Sequence, residues 1–543
     1  MNSPSPEVEL AEPQMLQFLE FLGIDVEYVR AEGNTLFFRD GSGQEIPVLD
    51  YAGGYGALIL GHNHPEIVAA AREFLDSGRP VLAQASRQTA ASEVAAALNR
   101  ILRREFADPE PYYAVFSNSG AESVEVALKH AEFDRVLKVR ALEAEIAVHV
   151  AEAREAVAAG RATVAAGALR SVTLEADAGG TDTPGTDTPG TDARSLDVFE
   201  DLVAVVLRRN AEQAARPPVF LTLEGGFHGK LAGSVQLTHN AAFRLPFAGM
   251  AAQARFLPFD QPQAVAELTE EERATVLDVV VEDGEVRLVE RPFPVFAAFV
   301  LEVVQGEGGI HLVSPEMARA VRRASDAVDC PVVVDEIQSG MGRTGAFFAS
   351  SLIGLRADYY TLAKGLGGGI AKAAVTLVRE SKYRKDFELV HSSTFAKDTF
   401  SNTLALKTLE LLEAGDGEAY RLAGKWGERL LSLFESLRAE FPDVVKDVRG
   451  RGLMLGLEFH DQSGSAATGI RDAAAAGIFG YALSGYLFRV HRVRTFPTAS
   501  AVGTLRFEPS ALLTDAEVDR LEAALRELCT VLREQNEQAL FGV

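Results

Sequence analysis

A chain of 543 residues that is 47% hydrophobic and 24% charged can bury a large core and hold two or more domains, which excludes a disordered or fibrous protein. Its formal net charge of −24 argues against nucleic acid and anionic membrane surfaces as partners. Two cysteines, Cys330 and Cys529, are too few for a disulfide framework; with an acidic, polar beginning unlike a signal peptide and no apolar run near the roughly 20 residues of a membrane span, they lead us to expect a cytoplasmic protein.

In chain order, residues 14–22 predict a short amphipathic helix. Strand-like runs around Thr35–Phe38 and Ile46–Leu49 follow, joined by the turn Asp40-Gly41-Ser42-Gly43. The stretch DYAGGYGALILGHNHPEI presents Tyr55 among glycines ahead of a helix from Pro65 through Leu75. His62 and His64 stand two apart beside a proline, with no carboxylate or third ligand at helical spacing, so no metal is expected. Tyr112–Ser117 reads as a buried strand, and Asn118-Ser119-Gly120-Ala121-Glu122 opens an amphipathic helix. A strand, a small polar turn and a helix N-terminus form an anion site, although an ordinary N-cap by Asn118 or Ser119 accounts for the same residues.

Residues 136–160 continue helical and run into AGGTDTPGTDTPGTDAR, a tandem repeat whose Pro and Gly density and lack of apolar residues predict a flexible linker over 177–194. A helix around 196–213 follows, so 138–216 reads as an inserted helical excursion. The strand Val219–Leu223 then ends in Gly225-Gly226 and presents Phe227, His228 and Lys230, and 278–290 predicts a hairpin around Asp283-Gly284. AAFVLEVVQGEGG supplies another buried strand with Glu302 and Glu307 at its mouth.

The β-branched run Val332-Val333-Val334 leads directly into Asp335-Glu336-Ile337-Gln338, which predicts a buried strand delivering Asp335 to the C-terminal edge of a sheet. Lys364 follows among small residues and is backed by four glycines, the setting of an amine that something bulky approaches closely. An acid and a lysine of this kind suit pyridoxal phosphate, which needs a Schiff-base amine and an anion for its pyridinium nitrogen. A strand ending in Asp-Glu equally suits the magnesium site of a nucleotide hydrolase, but that class needs G-x-x-x-x-G-K-[ST]. The nearest stretch, Gly225–Leu231, lacks both the spacing and the final hydroxyl. Beyond Lys364 come HSSTFAKDTFSN, helices over 402–413 and 417–440, a strand at Leu453–Glu458, LRFEPSALL and a closing helix over 514–534. Strands alternating with helices imply an α/β fold with a mainly parallel sheet, followed by a smaller α+β part.

Taken together, LDYAGGYGALILGHNHPEI, NSGAESVEVALKHA, GGFHGK, EVVQGEGG, VVVDEIQSGMGRTG, LAKGLGGG, HSSTF, RGLMLGLEF and LRFEPSALL resemble, in order, the motifs of class III pyridoxal-phosphate aminotransferases, the family of the ornithine, acetylornithine, GABA and ω-amino-acid enzymes. The spacing of 29 positions from Asp335 to Lys364 agrees with that family. The resemblance implies fold type I: a large domain with a mainly parallel seven-stranded sheet over 65–405, a small C-terminal domain over 406–543, and an N-terminal segment, 1–64, packed with the latter. It implies that Lys364 carries the cofactor as a Schiff base and shuttles the proton, and that Asp335 keeps the pyridinium protonated. Gln338 would meet the ring's phenolic oxygen, Phe227 would stack on the ring beside His228, and Glu302 would support it. Ser119, Gly120 and Ala121 would bind the phosphate, joined by Thr394 of a neighbouring subunit, which implies a homodimer.

Tyr55 and Lys230 would line the substrate pocket. Glu307 and Arg506 match a pair in which the arginine binds a substrate carboxylate or, in its absence, the glutamate. The implied reaction moves an amino group from glutamate to an aldehyde or ketone, with pyridoxamine phosphate as the alternating form. An aminomutase, racemase or decarboxylase of the same fold, or a non-catalytic relative, is the alternative. Four departures bear on the acceptor: Val303 replaces a proline, Lys230 replaces an arginine, Ala396–Asn402 replaces a Gly-Gly-Asn-Pro turn, and 138–216 is extra. With the Arg- and Ala-rich composition, they suggest secondary metabolism and a bulky aldehyde.

Overall fold

The computed structural model describes residues 11–107, 109–168 and 196–542. The expected linker, 177–194, lies outside the described residues. At the centre is a seven-stranded sheet in the order Tyr112–Ser117, Ala374–Arg379, Tyr359–Leu362, Val332–Asp335, Phe296–Glu302, Val219–Leu223, Arg255–Leu257. Ala374–Arg379 runs antiparallel to both its neighbours and every other pairing is parallel, so the expected mainly parallel sheet is present.

The central strands are buried along their whole length and largely apolar because helices cover both faces. All seven residues of Phe296–Glu302 and all four of Val332–Asp335 are buried. Val124, Ala127, Leu128 and Ala131 of the helix Gly120–Ala158 press on Phe220, Ala298, Val300 and Val333. On the other face, Met317 and Val321 of the helix Pro315–Ala327 join Phe299, Leu301 and Val334 in the main core. That helix starts where Ser314 Oγ accepts from Met317 N at 3.1 Å with Pro315 in the first turn. Phe299 is fully buried, so Phe299→Ala is expected to cost about 3–5 kcal/mol, read as a lower denaturant midpoint at unchanged slope.

Parallel register does the work of placing chemistry. It sets Glu302 opposite Asp335, and Asp335 opposite Thr361, two residues before the strand gives way to Ala363 and Lys364. Three polar side chains therefore stand in one row at the carboxyl edge.

Elsewhere, residues 136–160 belong mostly to a single 39-residue helix, so no break marks position 138. The predicted hairpin is longer than expected, Ala274–Glu282 with Glu285–Phe293, and Thr163–Val164 adds a third strand to it. Asp283 and Gly284, both at positive φ (52° and 77°), make its two-residue turn. The helix after Thr399 is interrupted at Ala414–Gly417 and resumes to Glu440. The C-terminal part holds an antiparallel sheet of Val445–Arg451, Met454–Phe459, Thr504–Phe507 and Phe496–Pro497. Val493–Arg494 pairs in parallel with Glu45–Asp50, so the beginning and the end of the chain share one sheet. Among the described residues, no helix is long and apolar enough to cross a membrane.

Candidate functional site

Asp335 arrives buried at the end of its strand and is held from three directions. Its Oδ1 accepts from Ile337 N at 3.1 Å and Thr361 Oγ1 at 3.2 Å, and its Oδ2 lies 2.9 Å from His228 Nδ1. The other ring nitrogen of His228 faces Thr222 Oγ1 at 3.3 Å. Burial pulls the His228 imidazole down, but the bond to Asp335 and the charges of Asp335 and Glu302 outweigh it and leave the imidazole raised. Beside them, Glu302 accepts from Phe227 N at 2.8 Å and Gly306 N at 3.1 Å. Burial pushes its carboxyl up to about 7, with His228 opposing and Asp335 adding to the rise. The sheet edge thus carries an anion backed by an imidazole, next to a carboxyl that gives up its proton late.

Lys364 leaves the neighbouring strand in the left-handed backbone region, at φ 44°. Such a conformation is costly for a residue with a side chain and persists only where surroundings enforce it. The side chain is half-buried. Burial lowers its amine below the ordinary lysine value, against the opposing pull of Glu508, Glu307 and Glu302. A lysine in that state offers a free base at lower pH than a surface amine does.

The turn after Tyr112–Ser117 opens the helix as expected. Ser119 Oγ accepts from Glu122 N at 3.3 Å, and Glu122 Oε2 returns a bond from Asn118 N at 2.7 Å. The first-turn N–H groups of Gly120 and Ala121 have no intrahelical acceptor, and the helix dipole favours an anion there. The cradle is built for close approach. A Cβ on Gly120 would stand 3.0 Å from Ile337 Cδ1, and one on Gly229, at φ +116°, would stand 2.7 Å from Ala121 Cβ. Ser117 Oγ, buried at the mouth of this turn, has no hydrogen-bond partner among the described residues. Half-buried amine, buried anion and open helix N-terminus fit a phosphorylated pyridine aldehyde.

Glu307 and Arg506 come together. Arg506 Nη1 donates to Glu307 Oε1 at 2.7 Å, and Nη2 donates to Glu307 Oε2, which also accepts from Ala499 N at 2.8 Å. Arg506 is almost fully buried and its Nε has no hydrogen-bond partner among the described residues. Tyr55, at φ 55° and exposed, lies with its ring centroid 5.1 Å from the Arg506 guanidinium carbon and stacks on Phe496 at 5.8 Å. Lys230 is exposed, its Nζ 3.9 Å from the centre of the Phe243 ring, which meets Phe227 edge-on at 6.5 Å. Thr394 sits in an exposed loop, where its carbonyl accepts from Gln84 Nε2 at 3.2 Å, while Ser393 Oγ accepts from Asn118 Nδ2 at 3.1 Å. Among the described residues, no hydrogen bond joins Thr394 to Ser119, Gly120 or Ala121.

Sequence reasoning passed over Glu508. It is fully buried and accepts from Gln338 Nε2 at 2.6 Å. Its signal was the spacing of two from Arg506 along a strand, which puts both side chains on one face. Arg343 was missed as well. It is buried, donating to the carbonyls of Gly56 at 3.1 Å, Leu453 at 2.9 Å and Pro509 at 3.0 Å, and so ties the wall of this region together.

A family model described as Aminotransferase class-III matches residues 22–498. Among solved structures, an ornithine aminotransferase from Toxoplasma gondii ME49 is 17% identical at a TM-score of 0.63, covering 94% of this chain and 92% of that one. An amine transaminase from an uncultivated Pseudomonas species, in its PLP-bound form, is 20% identical at a TM-score of 0.64, covering 98% of both chains. A transaminase from the marine bacterium Virgibacillus is 18% identical at a TM-score of 0.64, covering 94% of both. Identities this low establish the shared fold; the family model establishes kinship.

Proposed function

The chain belongs to the class-III aminotransferase family, an enzyme family that uses pyridoxal phosphate, and from that premise we propose that it moves an amino group from glutamate to an aldehyde or ketone. When bound, the cofactor supplies an electron sink for the bond broken at the substrate carbon. In this reading Lys364 Nζ would hold the cofactor covalently and, as a free amine, would move the proton at the donor's α-carbon. The depressed basicity of its amine keeps that nitrogen available as a base. Asp335, backed by His228, would keep the pyridine nitrogen protonated, and Phe227, Gln338 and Glu302 would hold the ring. Ser119 Oγ and the Gly120 and Ala121 N–H groups bind the phosphate. Thr394 joins them from a second subunit, a homodimer supported by the exposed apolar side chains Leu389, Val390 and Phe395 around its loop. The two buried free cysteines suit the cytoplasm, where we place the enzyme.

The observation that carries the glutamate reading is the closed pair Glu307–Arg506 beside Lys364. A transaminase serves two substrates in one pocket, and a bare buried arginine is costly when no carboxylate is bound. Glu307 neutralises it in that state and swings off when a carboxylate enters. The aromatic wall of Tyr55, Phe496, Tyr481 and Phe18 supports a bulky apolar acceptor, with Lys230 at the rim, as an enzyme of secondary metabolism would need.

Two measurements test this. Glutamate added to the loaded enzyme is expected to shift the cofactor's absorbance and release 2-oxoglutarate, and no release excludes the donor. In single-turnover kinetics, Arg506→Ala should slow the glutamate half-reaction about a hundredfold or more and spare the other, because a charge-paired contact to the carboxylate is lost. Glu307→Ala should do the reverse, leaving the arginine buried and unpaired against the carboxylate-free substrate. Equal losses in both half-reactions for both variants would reduce the pair to a structural salt bridge.

A further inference from the structure

Glu508 and Arg343 have no part in the reaction as so far assigned, yet both side chains are fully buried with one polar atom left over. Glu508 Oε1 accepts from Gln338 Nε2 at 2.6 Å, and its Oε2 has no hydrogen-bond partner among the described residues. Arg343 spends Nε and Nη1 on the carbonyls of Gly56, Leu453 and Pro509, and its Nη2 has no partner among them either. A buried charge of either sign is costly alone, because its lost hydration is offset only by an opposite charge close by.

The backbone brings the two together. Pro509, whose carbonyl Arg343 holds at 3.0 Å, directly follows Glu508. Gly56 marks where the side chains converge: a Cβ there would stand 3.3 Å from Gln338 Cγ and 3.4 Å from both Arg343 Nε and Glu508 Oε1. Among the described residues Glu508 is the acid whose charge reaches Arg343, while Arg506, also near Glu508, is taken by Glu307 in a two-pronged pair. A carboxylate only accepts, so Gln338 must turn its amide nitrogen toward Glu508. One amide hydrogen is thereby fixed and the second is left to donate elsewhere. Gly306 crowds the amide oxygen, since a Cβ there would collide with Gln338 Oε1.

We propose that Arg343 and Glu508 form a buried ion pair that orients Gln338. Arg343 keeps Glu508 ionised, and Glu508 holds one N–H of the Gln338 amide so that the other is presented to the phenolic oxygen of the cofactor ring. Both are positioning residues, and the inference rests on the reading that Gln338 meets that ring.

The test compares the full-length, cofactor-loaded wild type with Arg343→Gln, Glu508→Gln, Gln338→Ala and the double variant Arg343→Gln/Glu508→Gln. Thermal unfolding and the pH midpoint of the visible absorption band are followed. Each single charge removal strands one buried ion and the double strands none, so both singles should melt below the double. A double variant that loses the sum of the two single losses would overturn the pair. The double also leaves the net charge of the region unchanged, so a change in its band reports geometry. Glutamine, unlike glutamate, can turn either end of its amide to Gln338 and no longer dictates its orientation. A hydrogen bond to the phenolic oxygen stabilises that oxygen's anion and makes the neighbouring proton easier to lose, so without it the midpoint should rise by about half a pH unit or more. The rise is expected in Gln338→Ala and in the double variant alike, with no further rise when all three changes are combined. A wild-type midpoint in the double variant beside a raised one in Gln338→Ala would overturn the positioning role. Should the double variant fail to fold, Glu508→Asp decides. It keeps the anion for Arg343 but falls one methylene short of Gln338, so a raised midpoint supports the proposal and an unmoved one refutes it. Failure of the underlying site reading looks different, because Gln338→Ala itself would then leave the midpoint in place, and the proposal would fall with it.

Discussion

Lys364→Ala is expected to lower transamination by about four orders of magnitude or more while leaving the fold intact. The residue is half-buried and its side chain makes no hydrogen bond among the described residues, so truncation removes little packing. What goes is the amine that holds the cofactor and moves the proton at the substrate carbon. Both functions reside on one atom, so the loss is not shared with a neighbour. Borohydride treatment of the wild type followed by peptide mapping should find cofactor fixed on Lys364. Fixation on another lysine, or a variant within tenfold of wild type, would sink the assignment.

Asp335→Asn should slow both half-reactions about 10²–10³-fold with the cofactor still bound. Asparagine preserves the volume and can still accept from Thr361 and Ile337, so the strand end should survive. The charge does not. His228, whose raised imidazole depends first on its bond to Asp335 among the effects opposing burial, should then fall and titrate neutral. Two positive charges at the pyridine side would lose their anion together, and the ring nitrogen would no longer stay protonated through turnover. Rates within a few-fold of wild type in stopped-flow half-reactions would remove Asp335 from this role. A matching loss of thermal stability would instead mark a packing residue.

Much of this site was legible in the residues alone, for reasons that differ by element. Val332–Asp335 announced itself because a strand buried on both faces has no alternation, and its first acid marks the sheet edge. The turn at Asn118–Glu122 was legible because capping is local chemistry, complete within five residues. The helix Gly120–Ala158 was harder. Its first half faces the sheet and its second half faces the hairpin Ala274–Phe293, so the apolar stripe changes side and the amphipathic signal averages away. The strand Ala374–Arg379 carries no turn signal to expose its antiparallel direction. Glu508 was passed over because a charged residue before a proline ordinarily faces water. Tertiary neighbours such as Gln338, 170 positions earlier, bury it. The Asp335–His228 bond likewise spans 107 positions and has no local signature.

The shared sheet between Glu45–Asp50 and Val493–Arg494 sets a schedule for biosynthesis. Asp50 is buried, and its carboxylate is met by His62 Nε2 and by Arg494 Nη1, each at 2.9 Å. The second of these partners is 444 residues downstream. At ribosomal speeds of roughly 5–20 residues per second, the early strand waits on the order of tens of seconds for its mate. During that interval Leu36, Phe38 and Val48 lack Phe488, the residue that closes their small core. The nascent chain therefore carries an open apolar edge around Leu36, Phe38 and Val48 until Phe488 has been made.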